Sequence, residues 1–313
     1  MTRSKLALWA TLTTVSIIAA DAAPTRPTVI PLGMYLGVLP SLEVRFAGRE
    51  RTVLLDTGGG LTVVTPATAG AIGCRPWGRV TGFRMRGDRV DMRRCDHVAL
   101  GIAGLTVRVP EAGVWDFGKA LPRNAPPLAG SIALDAFIHR AVTLDLARRR
   151  LILETPASLA ARLHRERAIA VPMRFEREVD GASWVPLIGI DTPQGRLWME
   201  IDSGSDGEVI VNRPLAHALG LNPADDRLQS MSVSIGGILP LRAPARVANL
   251  VIDGDIGEPV LRRWVITLDP ACRELWLAPA ARGSAAFAVA RQRMNEKLEA
   301  PCAPNRLTDP ASW

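Results

Sequence analysis

Lysine is nearly missing from this chain of 313 residues: Lys5, Lys119 and Lys297 are the whole complement, beside four His, four Cys and a single Tyr. The net charge of +7 is therefore carried by arginine, and the arginines are scattered along the sequence. With so few aromatics between them there is no stacking platform interleaved with cations, which excludes nucleic acid as a partner. No C-x-x-C occurs, and Cys95-Asp96-His97 alone is a poor metal centre. His97, His139, His164 and His217 fall in unrelated contexts, so no ordered Ser-His-Asp or Cys-His set supports covalent hydrolysis. Gly58-Gly59-Gly60 lacks the Gly-Lys-Thr/Ser ending of a phosphate loop. A helix-loop-helix calcium loop starting at Asp202 fails as well, with Gly204 at its third position and Arg213 at its twelfth. No cofactor and no metal site is expected.

Past the first 20 residues no apolar run approaches the ~20 residues a spanning helix needs. The run over 6–20 is diluted by Thr11, Thr13, Thr14 and Ser16, follows Arg3 and Lys5, and ends at Ala20-Asp21-Ala22. That pattern reads as a signal peptide over 1–22, and it predicts export to the periplasm or the exterior with no stable membrane span afterwards. Four cysteines in an exported chain read as disulfides. Sequence allows three connectivities; one bridge per half would pair Cys74 with Cys95 and Cys272 with Cys302.

What the chain does have is a duplication. Val53-Leu54-Leu55-Asp56-Thr57-Gly58 is matched by Met199-Glu200-Ile201-Asp202-Ser203-Gly204, each an apolar strand ending in Asp, a hydroxyl residue and Gly. Downstream, residues 130–145 and 254–269 align without a gap, from Gly130-Ser131-Ile132-Ala133 and Gly254-Asp255-Ile256-Gly257 to Thr-Leu-Asp. Alternating runs such as Leu42-Glu43-Val44-Arg45-Phe46 predict strands throughout. Short helices are expected after Thr65 and Asn212, each with Pro close behind and Gly at the exit. The fold class is accordingly all-β: two closed, barrel-like lobes related by a pseudo-two-fold, with short helices. Their expected bounds are 23–155 and 168–280, with a linker over 156–167 and a helix and tail over 281–313. Hairpin tips near Arg86-Gly87-Asp88 and Gly236-Gly237 are candidate flaps, while Asp145 and Asp269, just before a turn in both halves, are expected to be structural.

These paired motifs and their downstream blocks resemble the aspartic proteases, specifically the bacterial retropepsin-like proteins with two such domains in one chain. The resemblance covers about residues 29–277 and implies a monomer built as an internal pseudo-dimer. Two carboxylates about one water apart share a proton, and such a pair can activate that water against a peptide carbonyl. The resemblance thus implies an aspartic-type endopeptidase acting on a peptide or protein substrate, with Asp56 and Asp202 catalytic. Thr57, Gly58, Ser203, Gly204 and Ser205 are expected to support them, Ser205 by bonding the Asp202 carboxylate. Gly59 stands where a hydroxyl residue is usual, which predicts Asp56 as the proton holder; Ala133 replaces the counterpart of Gly257. Those two departures motivate the alternative: an exported, catalytically silent member of the same fold that binds a peptide or protein.

Overall fold

The computed structural model describes residues 26–281 and 283–293. The expected signal peptide, the end of the chain and Cys302 lie outside the described residues. Among these residues no helix is long and apolar enough to cross a membrane.

Each repeat closes into a barrel of six strands, in the same order. In the first, Leu39–Phe46 pairs with Arg49–Leu55, and the ring continues through Gly130–Ile132, Val63–Val64, Leu105–Val114 and Arg89–Ile102. An Arg45–Gly101 pairing returns it to the start. In the second, Val185–Thr192, Gly195–Asp202, Gly254–Gly257, Val209–Asn212, Leu239–Ala248 and Gln229–Ile235 follow the same circuit, closed by Ile190–Ile235. The duplicated glycine block is therefore the strand that runs parallel to each motif strand, with Leu54 opposite Ser131 and Glu200 opposite Asp255. Alternation sends Val53, Leu55, Met199 and Ile201 into the barrel cores and the intervening residues to the opposite face.

The two repeats also share a sheet of six strands, which local sequence pattern does not announce. Val142–Asp145 of the first repeat lies antiparallel to Trp264–Asp269 of the second, and the sheet extends on either side through both halves. Thr143 faces its own copy, Thr267, with the hydroxyls 3.0 Å apart, and Thr143 Oγ1 can donate to Glu154 at 2.9 Å. The pseudo-two-fold passes between the threonines.

Local signals act as expected. Pro66–Ala71 is helical with Thr65 capping Thr68 N, and Pro156–Glu166 begins with a reciprocal Thr155–Ser158 capping box. Arg213–Leu219 winds as a 3₁₀ helix and ends at Gly220 with φ 73°. Cys74 and Cys95 form a disulfide that ties the exit of the first helix to the strand Arg89–Ile102; Cys272 is also disulfide-bonded. Oxidised cysteines fit a chain exported to an oxidising compartment. Asp145 is structural, bonded by Arg148 and Arg150, and Asp269 accepts the amides of Ala271 and Cys272. Only one of the two expected flaps projects. The ribbon from Trp77–Phe83 and the start of Arg89–Ile102 is largely exposed. Ile235 and Leu239 beside Gly236-Gly237 are instead fully buried, so that hairpin belongs to the barrel wall.

Candidate functional site

The two motif loops meet at the pseudo-two-fold and hold each other reciprocally. Thr57 Oγ1 donates to Ile201 O at 2.5 Å and accepts from Ser203 N at 3.0 Å. Ser203 Oγ donates to Leu55 O at 2.7 Å and accepts from Thr57 N at 3.1 Å. Both side chains are fully buried. Glycine is required next in each motif, because a Cβ on Gly58 would lie 2.4 Å from Asp202 Cγ and one on Gly204 would lie 2.6 Å from Asp56 Cγ. The expected neighbours are thus brought together: Asp56, Asp202, Thr57, Ser203, Gly58 and Gly204.

Ser205 departs from its expected place. Its hydroxyl donates to Asp255 Oδ2 at 2.8 Å, leaving Asp202 with the amide of Gly204 at 2.7 Å. Asp56 accepts the amides of Gly58 and Gly59, the latter at 2.8 Å. Among the described residues neither motif carboxyl receives a Ser or Thr hydroxyl. Burial raises both above the ordinary carboxylate range. Asp202 is pushed up further because Asp56, Asp255 and Glu200 crowd it, whereas Asp56 is held down in part by a hydrogen bond from Asp202. The two carboxyls titrate as a pair that holds a proton between them above the ordinary carboxylate range. Burial and the neighbouring carboxylates take Glu200 to about 8, and burial takes Asp255 to about 7. Glu200 and Asp255 were not anticipated as part of the site, although the alignment of the repeats marks them: they replace Leu54 and Ser131.

The projecting ribbon reaches across this floor. Val251 N of the second lobe donates to Met85 O at its tip, at 2.9 Å, and the charge of Arg84 is felt by Asp56. Phe83 and Val251, each 62% exposed, leave apolar surface where ribbon and opposite loop meet. Asp56 is half-buried and Gly59 exposed, so the floor opens to solvent on the Gly59 side.

One further acid, Asp135, lies apart from this cluster. It accepts Thr62 N at 2.8 Å and Thr62 Oγ1 at 2.6 Å, and burial nevertheless raises it to about 7. Its folded value exceeds the unfolded one, so the stability held by its proton is complete below about pH 4 and lost as pH rises through about 7. Raising pH from 5 to 8 is expected to destabilise the protein by on the order of 2 kcal/mol more than it destabilises Asp135→Asn. Urea unfolding of both at the two pH values measures this; equal pH dependence would place the proton elsewhere.

No protein-family model and no curated protein matches the sequence. Solved structures do. Two seed globulins share the fold. Basic 7S globulin from soybean superposes with a TM-score of 0.53 at 12% identity, covering 85% of this chain and 99% of its own. Conglutin gamma, described as a unique basic 7S globulin from lupine seeds, gives 0.52 at 9% identity, covering 81% and 95%. At such identities the likeness establishes the two-lobe fold. It also corrects the resemblance drawn above: these neighbours are globulins, and no retropepsin family is matched. The expectation of an aspartic-type endopeptidase is withdrawn with it. Among the described residues the site also departs from a hydroxyl-supported pair: neither carboxyl receives a hydroxyl, and Asp202 is crowded by Glu200 and Asp255.

Proposed function

We propose that this protein is an exported, catalytically silent member of the two-lobe fold that binds an extended peptide or protein segment between its lobes. The observation that carries the reading is the diversion of the Ser205 hydroxyl from Asp202 to Asp255, beside a Gly59 that has no hydroxyl to offer Asp56, so that among the described residues neither motif carboxyl receives a Ser or Thr hydroxyl. The names of the structural neighbours, globulins rather than enzymes, support silence. In this reading residues 23–155 and 168–280 form the two walls, 156–167 joins them, and the chain acts as a monomer in the periplasm or outside the cell.

Asp56 and Asp202 become floor residues. Their acidic surroundings favour a segment that presents Arg or Lys, and the exposed Phe83 and Val251 favour apolar flanks. Backbone pairing with the ribbon edge would hold such a segment extended. Panning a displayed random-peptide library on the purified chain, followed by mass spectrometry of the recovered peptides after incubation with it, tests the proposal. Intact peptides combining a cationic residue with apolar neighbours are expected, and Phe83→Ser should weaken them about tenfold, or about 1.4 kcal/mol. No retained peptide, or retained peptides found cut, would overturn the reading.

A further inference from the structure

Three carboxylates on the second lobe come together without any counterpart on the first. Ligand oxygens of Glu200, Asp202 and Asp255 all lie within 4.8 Å of one another. Glu200 and Asp255 stand directly opposite across the parallel pair Gly195–Asp202 and Gly254–Gly257, where the first lobe has Leu54 opposite Ser131. Repetition built the same two strands twice and put acids at this one pair of positions once.

Asp255 is fully buried; Oδ2 takes the Ser205 hydroxyl, but Oδ1 is buried with no hydrogen-bond partner. A buried carboxylate oxygen left bare costs its full desolvation, which is offset when something occupies the space before it. Among the described residues no Lys, Arg or His forms an ion pair with Glu200, Asp202 or Asp255. No nearby side chain thus supplies the cation that would be needed for these three carboxyls to ionise together.

We propose that Glu200, Asp202 and Asp255 bind one hard divalent cation of calcium size. The donors are all carboxylate oxygens, which select Ca²⁺, Mg²⁺ or Mn²⁺ over softer metals. Oxygens on opposite sides of one ion are about 4.6–5.2 Å apart for Ca²⁺ and about 4.0–4.2 Å for Mg²⁺. Three oxygens within 4.8 Å of one another can share one ion of either size, and side chains fixed on two paired strands suit Ca²⁺, which tolerates irregular geometry, better than Mg²⁺, which demands a near-ideal octahedron. The site is no helix-loop-helix calcium loop: its ligands come from two paired strands, and the ion would clamp the motif strand to the glycine-block strand beneath the floor. It does not depend on whether the cleft holds a peptide.

The test uses residues 23–313, stripped with EDTA and titrated with CaCl₂ by calorimetry, with thermal unfolding in parallel. One saturable Ca²⁺ per chain is expected, with a dissociation constant of roughly 10⁻⁴–10⁻³ M or tighter, a rise in Tm, and weaker binding of Mg²⁺. Terbium should give luminescence sensitised by Trp198, which is two residues from Glu200 on the same strand face. Glu200→Leu with Asp255→Ser installs the pair that the first lobe already folds with, and it should abolish Ca²⁺ binding. If that variant does not fold, Glu200→Gln alone is read, with an expected loss of about tenfold or more. Absence of saturable Ca²⁺ binding by the unaltered chain, or binding within twofold of it in a folded variant, would overturn the proposal.

Discussion

Replacing Thr57 by Val together with Ser203 by Ala is expected to cost about 4 kcal/mol or more of stability, and each single change about 2 kcal/mol. The two hydroxyls satisfy four buried backbone groups: Ile201 O and Leu55 O as acceptors, and Ser203 N and Thr57 N as donors. Without the hydroxyls these groups remain buried between the lobes with nothing to bond, at about 1–3 kcal/mol each. Valine keeps the shape of threonine, so the loss isolates the hydrogen bonds rather than a cavity. The hydroxyls bond different backbone groups, so the double variant should cost about the sum of the singles, and any departure measures coupling between the two loops. Since whole domains are stable by about 5–15 kcal/mol, a loss of this size brings unfolding within easy reach. Urea titration of the three variants measures it; a loss below about 1 kcal/mol in the double variant would mean that water or backbone movement replaces the brace.

Gly257→Ala is expected to cost about 3 kcal/mol or more, whereas alanine is native at the equivalent position 133. A Cβ on Gly257 would lie 2.0 Å from Gly207 O and 2.9 Å from Ser205 O. Both are backbone oxygens of the Asp202 loop, which is itself anchored by Gly257 N donating to Glu208 O and Glu258 N donating to Ser205 O. Nothing there can rotate aside. At position 133 the amide donates instead to a side chain, Thr62 Oγ1 at 3.3 Å, and the alanine is wholly buried without displacing backbone. In a chain of this size a loss of about 3 kcal/mol corresponds to a fall in Tm of about 5 °C. Ala133→Gly should cost about 1 kcal/mol, from a lost methyl group and added chain freedom. Thermal unfolding of the two variants side by side decides it: similar losses would mean that the two Asp loops are equivalent after all.

Much of the architecture is legible from residues alone because the duplication is strong. Asp56-Thr57-Gly58 and Asp202-Ser203-Gly204 mark the ends of two strands, the glycine blocks mark their parallel partners, and two barrels follow. The shared six-stranded sheet is not legible in the same way. Val142–Asp145 carries no local sign that its partner is Trp264–Asp269, since register between distant strands is set by tertiary packing. The site was partly legible: the brace and the motif glycines are where the motifs imply, but Ser205 turns to Asp255. A competing acceptor on a neighbouring strand is invisible until the strands are paired. Glu200 and Asp255 each look like a single polar residue in an apolar strand, and only their pairing across the ladder makes them a cluster. The assignment to retropepsin-like proteases failed because a motif reports loop geometry, which the fold keeps whatever function it carries.

The sheet woven from both repeats has a consequence in time. Val142–Asp145 emerges from synthesis more than a hundred residues before the strand that covers its open side. Until then the first half carries an apolar, unpaired edge, the kind of surface on which other chains add strands. Folding cannot finish repeat by repeat, and its last step joins residues far apart in sequence, which is slow. A chain truncated near residue 155 would keep that edge for good and aggregate.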